Sequence, residues 1–99
     1  MNKVFLIGRL TKEPELSKTK NDKKYCTFPL AVNDGDEVNY FTVTSWNTLA
    51  ENCDKYLVKG QQVAVVGKVK SRTYEKDGKQ YFNMEVNADS VEFLAKPKN

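Results

Sequence analysis

The sequence predicts an all-β fold with one short helix, formed by a single domain that covers residues 1–99. Three features indicate this class: apolar and polar residues alternate along several segments, two Asp-Gly pairs mark tight turns, and two long strands contain a glycine. A chain of 99 residues can bury roughly two-thirds of its unfolded surface in one core. We therefore expect one small β-domain without a linker or an internal repeat.

Three strands are expected in the first half of the chain. Gly8 interrupts the first apolar run, as a bulge or a bend in a small barrel requires. Asp34 and Gly35 supply the positive φ angles of a tight hairpin turn before the third strand. The expected segments are strands at 3–10, 25–32 and 38–46, a loop at 11–15, a lysine-rich turn at 18–24 and a hairpin turn at 33–36.

One helix and a long hairpin are expected in the second half. Thr48 and Glu51 match a capping box, in which a hydroxyl and a carboxylate each accept from a free backbone amide at the helix start. Gly60 marks the expected end of this helix. The apolar face of the helix would comprise Leu49, Cys53, Tyr56 and Leu57. The hairpin would consist of strands at 62–74 and 80–86 around an Asp-Gly turn at 76–79, with 90–94 continuing the second strand or forming a sixth.

The position of the helix narrows the architecture. A helix between the third and fourth strands of a five-stranded antiparallel Greek-key barrel describes the OB-fold. Val63, Val65, Gly67 and Val69 share one face of the fourth strand by parity, as expected where one face of a strand fills a barrel and the other meets water. The sequence therefore predicts an OB-fold.

The composition argues against catalysis and against a bound metal or cofactor. The sequence has no histidine, and its carboxylates are scattered over turns and the helix surface, so we expect no enzyme and no catalytic residues. Cys26 and Cys53 are far apart in sequence and lie in apolar surroundings, which favours two buried free thiols over zinc ligands. The sequence contains no phosphate-binding loop motif, no apolar run long enough to span a membrane and no signal peptide. These observations predict a soluble protein of a reducing compartment, the cytoplasm, without a cofactor or a membrane partner.

A row of cations follows one face of the fourth strand. Lys68, Lys70, Arg72 and Tyr74 share parity and would point outward, opposite a row of inward valines. A basic row that ends in an aromatic residue suits a charged backbone with bases stacked beside it. The net charge of +3 permits nucleic-acid binding without requiring it. Outward lysines are also common as solvated surface or as edge protection, and that alternative stays open.

Two aromatic residues of the third strand would lie outside the barrel. If Phe41 and Val43 fill the core, then Tyr40 and Trp46 point to the outer surface. There they could stack on bases, or they could pack in a subunit interface or against the helix. Aromatic and cationic positions thus recur on the outer face of two strands that should be neighbours, which favours nucleic-acid binding.

Four parts of the chain carry a family resemblance. They are NKVFLIGRLT at 2–11 followed by PEL at 14–16, LAEN at 49–52 followed by YLVKG at 56–60, VVGKV at 65–69 followed by SRTY at 71–74, and ADSVEFL at 88–94. In this order, and over nearly the whole chain, they resemble the bacterial single-stranded DNA-binding proteins. The combination of all four parts makes the resemblance highly specific.

The resemblance implies an OB-fold that assembles as a homotetramer and wraps single-stranded DNA around its outside, protecting it in replication, recombination or repair. It implies that the hairpin at 74–82 is a mobile loop that contacts DNA or neighbouring tetramers. By position, the family's stacking aromatics correspond to Tyr40, Trp46 and Tyr74, and its phosphate-contacting cations correspond to Lys59, Lys70 and Arg72, or lie beside them.

The chain departs from the family pattern in two places. The hairpin at 33–36 is short and acidic where many members have a longer basic loop, which bears on the number of nucleotides covered. The chain ends after KPKN at 96–99, without the family's flexible tail and acidic tip. We therefore expect either a trimmed DNA-binding core or a short form, as from a phage or mobile element, with no tail-mediated recruitment of proteins. Two alternatives stay open: a dimeric primosomal-type accessory protein on the same fold, and an OB module that binds only protein.

Overall fold

The computed structural model describes residues 1–96, which form six strands and one helix. The elements are β1 (Val4–Leu10), β2 (Glu15–Lys18), β3 (Lys24–Asp34), β4 (Glu37–Trp46), α1 (Asn47–Tyr56), β5 (Gln62–Lys76) and β6 (Lys79–Phe93). Residues 97–99, the last part of the KPKN segment, lie outside the described residues.

The six strands form two three-stranded leaves that meet along two short seams. One leaf has the order β1-β5-β6 and the other the order β4-β3-β2, with antiparallel pairing inside each. At one seam Leu10 of β1 pairs with Leu30 of β3, and at the other Val43 of β4 runs parallel beside Val86 of β6. Each seam is two residue pairs long. Because the pairings lead back to β1, and α1 lies between β4 and β5, the OB-fold prediction is confirmed.

The sheet differs in two ways from the predicted five-stranded antiparallel barrel. A sixth strand, β2, joins the last residue of the expected loop at 11–15 to the first residue of the expected turn at 18–24. All of its residues are exposed, so no apolar alternation marks it. It forms because a turn, with Asp22 at φ 65° and the Thr19 N–H donating to the Lys23 carbonyl at 2.9 Å, folds the segment onto β3. The seam between β4 and β6 is parallel rather than antiparallel. The expected extension at 90–94 is confirmed as the end of β6, which runs without interruption to Phe93.

The helix does not start with the predicted capping box. Asn47 is its first residue, with a φ of 58°, and Trp46 occupies the N-cap without a side-chain hydrogen bond. Thr48 therefore lies inside the first turn, and the Glu51 carboxylate accepts a hydrogen bond from Lys24 Nζ at 2.7 Å instead. The prediction is wrong because the chain turns sharply out of β4 at an asparagine, which tolerates the left-handed conformation better than most residues.

The helix also ends earlier than the sequence predicts. Its last residue is Tyr56, and Leu57 already has extended backbone angles. Gly60 lies in the turn that follows, where its φ is 88° and its N–H donates to the Leu10 carbonyl at 2.8 Å. The predicted glycine stop is therefore wrong, although the positive φ explains why a glycine is there. Tyr56, expected on the buried face, is half-exposed at the helix end, with its ring 6.5 Å from that of Phe93.

The core lies between the two leaves and under α1. Leu30, Val43 and Val63 are completely buried, and Cys53 joins them from the helix. Burying each such aliphatic side chain contributes roughly 1.5–3 kcal/mol relative to leaving it in water. The residues that alternate with them along the strands point outward and form the solvent-exposed outer face of the barrel.

A bulge at Gly67 bends the long strand β5. The register with β6 shifts between Val66 and Gly67, and a Cβ on Gly67 would overlap the backbone carbonyl of Asn87. Only glycine permits this approach of the two backbones. Beyond the bend β5 leaves the core, and all residues of the hairpin from 70 to 84 are exposed. This segment, called the β5–β6 arm below, carries several of the predicted site residues.

Candidate nucleic-acid interface

The side chain of Trp46 is held at the seam where β4 meets β6. Its indole Nε1 donates a hydrogen bond to Asn87 Oδ1 at 2.8 Å, and its ring centroid lies 5.3 Å from that of Tyr25 in a tilted arrangement. Asn87 is only 8% exposed, so the bond ties the indole to a buried position on β6. The ring is therefore oriented from two leaves, while part of its surface stays open to solvent.

A cleft opens beside this indole ring. It has a volume of about 250 Å³, and we call it the Trp46 cleft. Its walls combine aromatic rings, hydroxyl groups and one ion pair, contributed by both leaves. The lining residues are Thr19, Tyr25, Thr27, Thr44, Trp46, Arg72 and Glu85.

The cationic row of β5 passes on both sides of Trp46. Arg72 lines the Trp46 cleft, whereas Lys68 and Lys70 line a second depression, of about 350 Å³, that Trp46 also borders. All three cations are exposed and share one face of β5 by parity, as the sequence predicted. The structure thus brings Trp46, Lys68, Lys70 and Arg72 together.

One carboxylate lies within this cationic row. Glu85 of β6 is the cross-strand neighbour of Lys70, and its Oε1 lies 3.2 Å from Nη2 of Arg72. The Glu85 side chain is 14% exposed and the Arg72 side chain 65% exposed. The row therefore contains an ion pair with one nearly buried and one solvated partner.

Tyr74 lies further out, on the β5–β6 arm. Tyr81 is its cross-strand neighbour, and the two rings stack with their centroids 5.5 Å apart and an interplanar angle of 20°. Tyr74 is 50% exposed and lies on the same face of the arm as Lys70 and Arg72, by strand parity. It extends the aromatic and cationic surface beyond the barrel.

Tyr40 and Lys59 lie away from the Trp46 cleft. Tyr40 is 70% exposed and lies on the same face of β4 as Trp46 but six residues earlier, about 20 Å along the strand. Lys59 lies in the turn before β5, whereas the cationic row begins only beyond the Gly67 bulge, and the Lys59 backbone N–H donates to Glu13 Oε1 at 3.1 Å. The structure therefore joins Tyr40 to the cleft by a continuous strand face and leaves Lys59 apart.

Three residues that contact Trp46 or Arg72 were not anticipated as site residues. Tyr25 was assigned only to a strand, although its parity opposite the inward Cys26 indicates an outward ring. Asn87 and Glu85 became visible only with the register of β5 against β6 and the parallel seam. No local pattern in the sequence contains that register.

Both cysteines are buried and free, as the sequence predicted. Burial raises the pKa of the Cys26 thiol to about 12 and raises the pKa of the Cys53 thiol as well. Within residues 1–96, no group of three or more His, Cys, Asp or Glu side chains is placed to hold a metal ion. In the same part of the chain, no helix is both long enough and apolar enough to cross a membrane.

The sequence is similar to a set of bacterial proteins that share one name. Single-stranded DNA-binding protein 2 of Staphylococcus aureus (strain Mu50) is 45% identical over an alignment of 107 residues that covers 100% of this chain and 75% of that protein. Single-stranded DNA-binding protein A of Bacillus subtilis is 42% identical, with 100% of this chain and 62% of that protein covered. The chain thus spans between three-fifths and three-quarters of the length of these two relatives.

The fold is also similar to a solved structure. A crystal structure of a deletion mutant of the single-stranded DNA binding protein from Thermus aquaticus superimposes with a TM-score of 0.82 at 27% sequence identity, over 100% of this chain and 43% of that one. The model of the single-strand binding protein family matches residues 1–94. With nearly all of its length matched, the chain belongs to the single-strand binding protein family.

Proposed function

We propose that this protein binds single-stranded DNA without strong sequence preference and so protects it during replication, recombination or repair. The observation that carries the proposal is the position of Trp46, an oriented and partly open indole with cations on both sides. Relatives that are 42–45% identical bear the name single-stranded DNA-binding protein. An aromatic surface beside cations suits an unpaired strand, whose bases can stack and whose phosphates need neutralising.

We propose a division of work between aromatic and cationic side chains. Bases stack on Trp46, Tyr40 and Tyr74, each contributing roughly 1–3 kcal/mol and accepting any base, since every base has a π-face. The open face of Tyr74 receives a base because its other face already lies against Tyr81. Duplex DNA should bind far more weakly because its bases are stacked on one another.

The phosphates are assigned to the basic side chains. Lys68, Lys70 and Arg72 contact the stretch of backbone at the Trp46 cleft, and each phosphate they neutralise steepens the fall of log affinity with log salt by about 0.7. Lys59 remains a predicted contact, and its distance from the row means that only a strand extending past the cleft would meet it. Its replacement should therefore weaken the binding of long oligonucleotides more than that of short ones.

We further propose assembly as a homotetramer. Phe5 and Ile7 on the outer face of β1 are 71% and 59% exposed, and Ala64 and Val66 lie beside them on β5. A strip of this kind on a soluble domain favours coverage by another subunit. Light scattering tests the proposal: a tetramer is expected, and a dimer would favour the primosomal-type accessory protein instead.

The proposed action is binding alone, in the bacterial cytoplasm. The Trp46 cleft presents aromatic, hydroxyl and cationic groups and one carboxylate already paired with Arg72, a set suited to holding a strand. The free buried thiols of Cys26 and Cys53 suit a reducing compartment.

The lone tryptophan provides the test. Titration with a thymidine oligonucleotide at two salt concentrations should quench Trp46 fluorescence to saturation, more weakly at the higher salt. A duplex of equal length is the control and should cause little change at equal concentration. Absence of any change at low salt, confirmed by a direct binding assay, would overturn the proposal and leave an OB module that binds protein.

A further inference from the structure

The two side chains of the Arg72–Glu85 ion pair differ strongly in solvent exposure. The Arg72 side chain is 65% exposed and can turn toward a ligand, whereas the Glu85 side chain is 14% exposed and packed at the base of the β5–β6 arm. If Arg72 turns toward a phosphate, Glu85 stays where it is. A negative charge then remains beside the phosphate path.

Glu85 also weakens the rest of the cationic row. It lies directly across from Lys70 in the β5–β6 register, and it lines the Trp46 cleft into which a strand would enter. With Lys68, Lys70 and Arg72 it leaves the row a net charge of two instead of three. A phosphate at this place therefore meets a positive potential that the Glu85 carboxylate partly cancels.

From this arrangement we propose that Glu85 competes with DNA phosphate for Arg72, so that strand binding must replace the internal ion pair. The inference rests on the proposed function, since it concerns how tightly the same surface holds single-stranded DNA. The carboxylate limits affinity and speeds release, and it makes Arg72 contribute less to binding than a free arginine would. Glu85 thus lowers the affinity for single-stranded DNA and makes no favourable contact with it.

The consequence for affinity follows from the charge that Glu85 carries. Removing a fixed negative charge a few ångströms from a phosphate position should tighten binding about three- to tenfold at low salt. It should also steepen the slope of log affinity against log salt by about 0.7, because in the wild type the released Glu85 carboxylate offsets the charge that Arg72 brings to the phosphate. Most of the gain should appear as slower dissociation, as is usual among variants of one interface.

The experiment compares two variants with the same change in net charge. Glu85→Gln removes the carboxylate in the cationic row, and Glu75→Gln removes an exposed carboxylate on the opposite face of the same arm. Affinity, salt slope and dissociation rate are measured with a labelled thymidine oligonucleotide, and urea unfolding confirms that each variant is folded. We expect the full effect for Glu85→Gln and less than about a twofold change for Glu75→Gln, which alters only the long-range field.

A second comparison isolates Arg72 and does not depend on a gain in affinity. Arg72→Gln should lower the salt slope by clearly less than 0.7 in the wild-type chain and by about 0.7 in the Glu85→Gln background. Equal losses in both backgrounds, equal effects of the two glutamate variants, or weaker binding by Glu85→Gln would each overturn the inference. Failure of the wild-type protein itself to bind the oligonucleotide would instead overturn the proposed function.

Discussion

Replacing Trp46 by alanine tests the centre of the proposed interface. The substitution removes the indole that borders both depressions, its contact with Tyr25 and its hydrogen bond to Asn87. It leaves the cations of β5 in place. Binding and stability should therefore both change, by amounts that can be worked out separately.

The expected loss of binding is that of one stacked base. At roughly 1–3 kcal/mol per base, affinity should fall about 5- to 150-fold, with the salt slope unchanged because no phosphate contact is removed. The loss of stability has two sources, the packing of the mostly buried indole and the buried Oδ1 of Asn87, which loses its donor. Together they should cost about 3–5 kcal/mol. A small domain with a stability of roughly 5–15 kcal/mol should remain folded after such a loss.

Two further variants separate stacking from positioning. Trp46→Phe keeps an aromatic face but lacks the N–H group, so it should keep most of the affinity and lose less stability than Trp46→Ala, chiefly the part that the hydrogen bond to Asn87 contributes. Tyr56→Ala removes a half-exposed aromatic residue at the end of α1, away from the Trp46 cleft, and it should leave binding unchanged. Fluorescence anisotropy of a labelled oligonucleotide and urea unfolding measure the two quantities. Normal binding by Trp46→Ala would refute the stacking mechanism and assign the indole to structure alone.

Three other predictions concern the scaffold. Gly67→Ala forces a Cβ against a backbone carbonyl at the bulge and should cost about 2–4 kcal/mol in urea unfolding, and a neutral result would contradict the geometry of the bulge. Lys24 lowers the pKa of the Glu51 carboxyl by a hydrogen bond and by its charge, so this pair stabilises the fold above pH 4.5, the ordinary value, and stops doing so as pH falls through the lowered pKa. The thermal midpoint of Glu51→Gln should accordingly lie slightly below that of the wild type at neutral pH, and the difference should vanish in acid. A difference that grew in acid would contradict this direction of the pH dependence. Because burial raises the pKa values of Cys26 and Cys53, neither thiol should react with a chromogenic disulfide reagent at pH 8 until the protein unfolds, and rapid native labelling would show that a thiol is open.

The sequence predicted those parts of the structure that short-range patterns encode. Alternation placed Tyr40 and Trp46 on the outside of β4, and parity placed the cations of β5 on one face, as the structure has them. Local patterns were misleading at the helix ends, where Thr48 and Gly60 suit a cap but the tertiary turns place them elsewhere.

The rest depended on pairings between distant residues. The polar strand β2 carries no apolar alternation, and it exists because the neighbouring turn brings it to β3. Asn87 and Glu85 reach Trp46 and Arg72 only through the register of β6 against two different strands. Such a register is set by how the whole barrel closes, so no window of sequence contains it.

Because the two seams are short, the barrel should open locally along them. Each leaf is knit by long ladders, but only two residue pairs close each junction, so the leaves should part locally at a lower free-energy cost than unfolding requires. Single-stranded DNA bound to Trp46 on one leaf and to Arg72 on the other would stabilise the junction of β4 and β6. Amide hydrogens there, at Thr44 and Asn87, should then exchange more slowly as the oligonucleotide concentration rises, in proportion to occupancy of the closed form. The bound DNA would thus hold β4 and β6 together where few backbone hydrogen bonds do so.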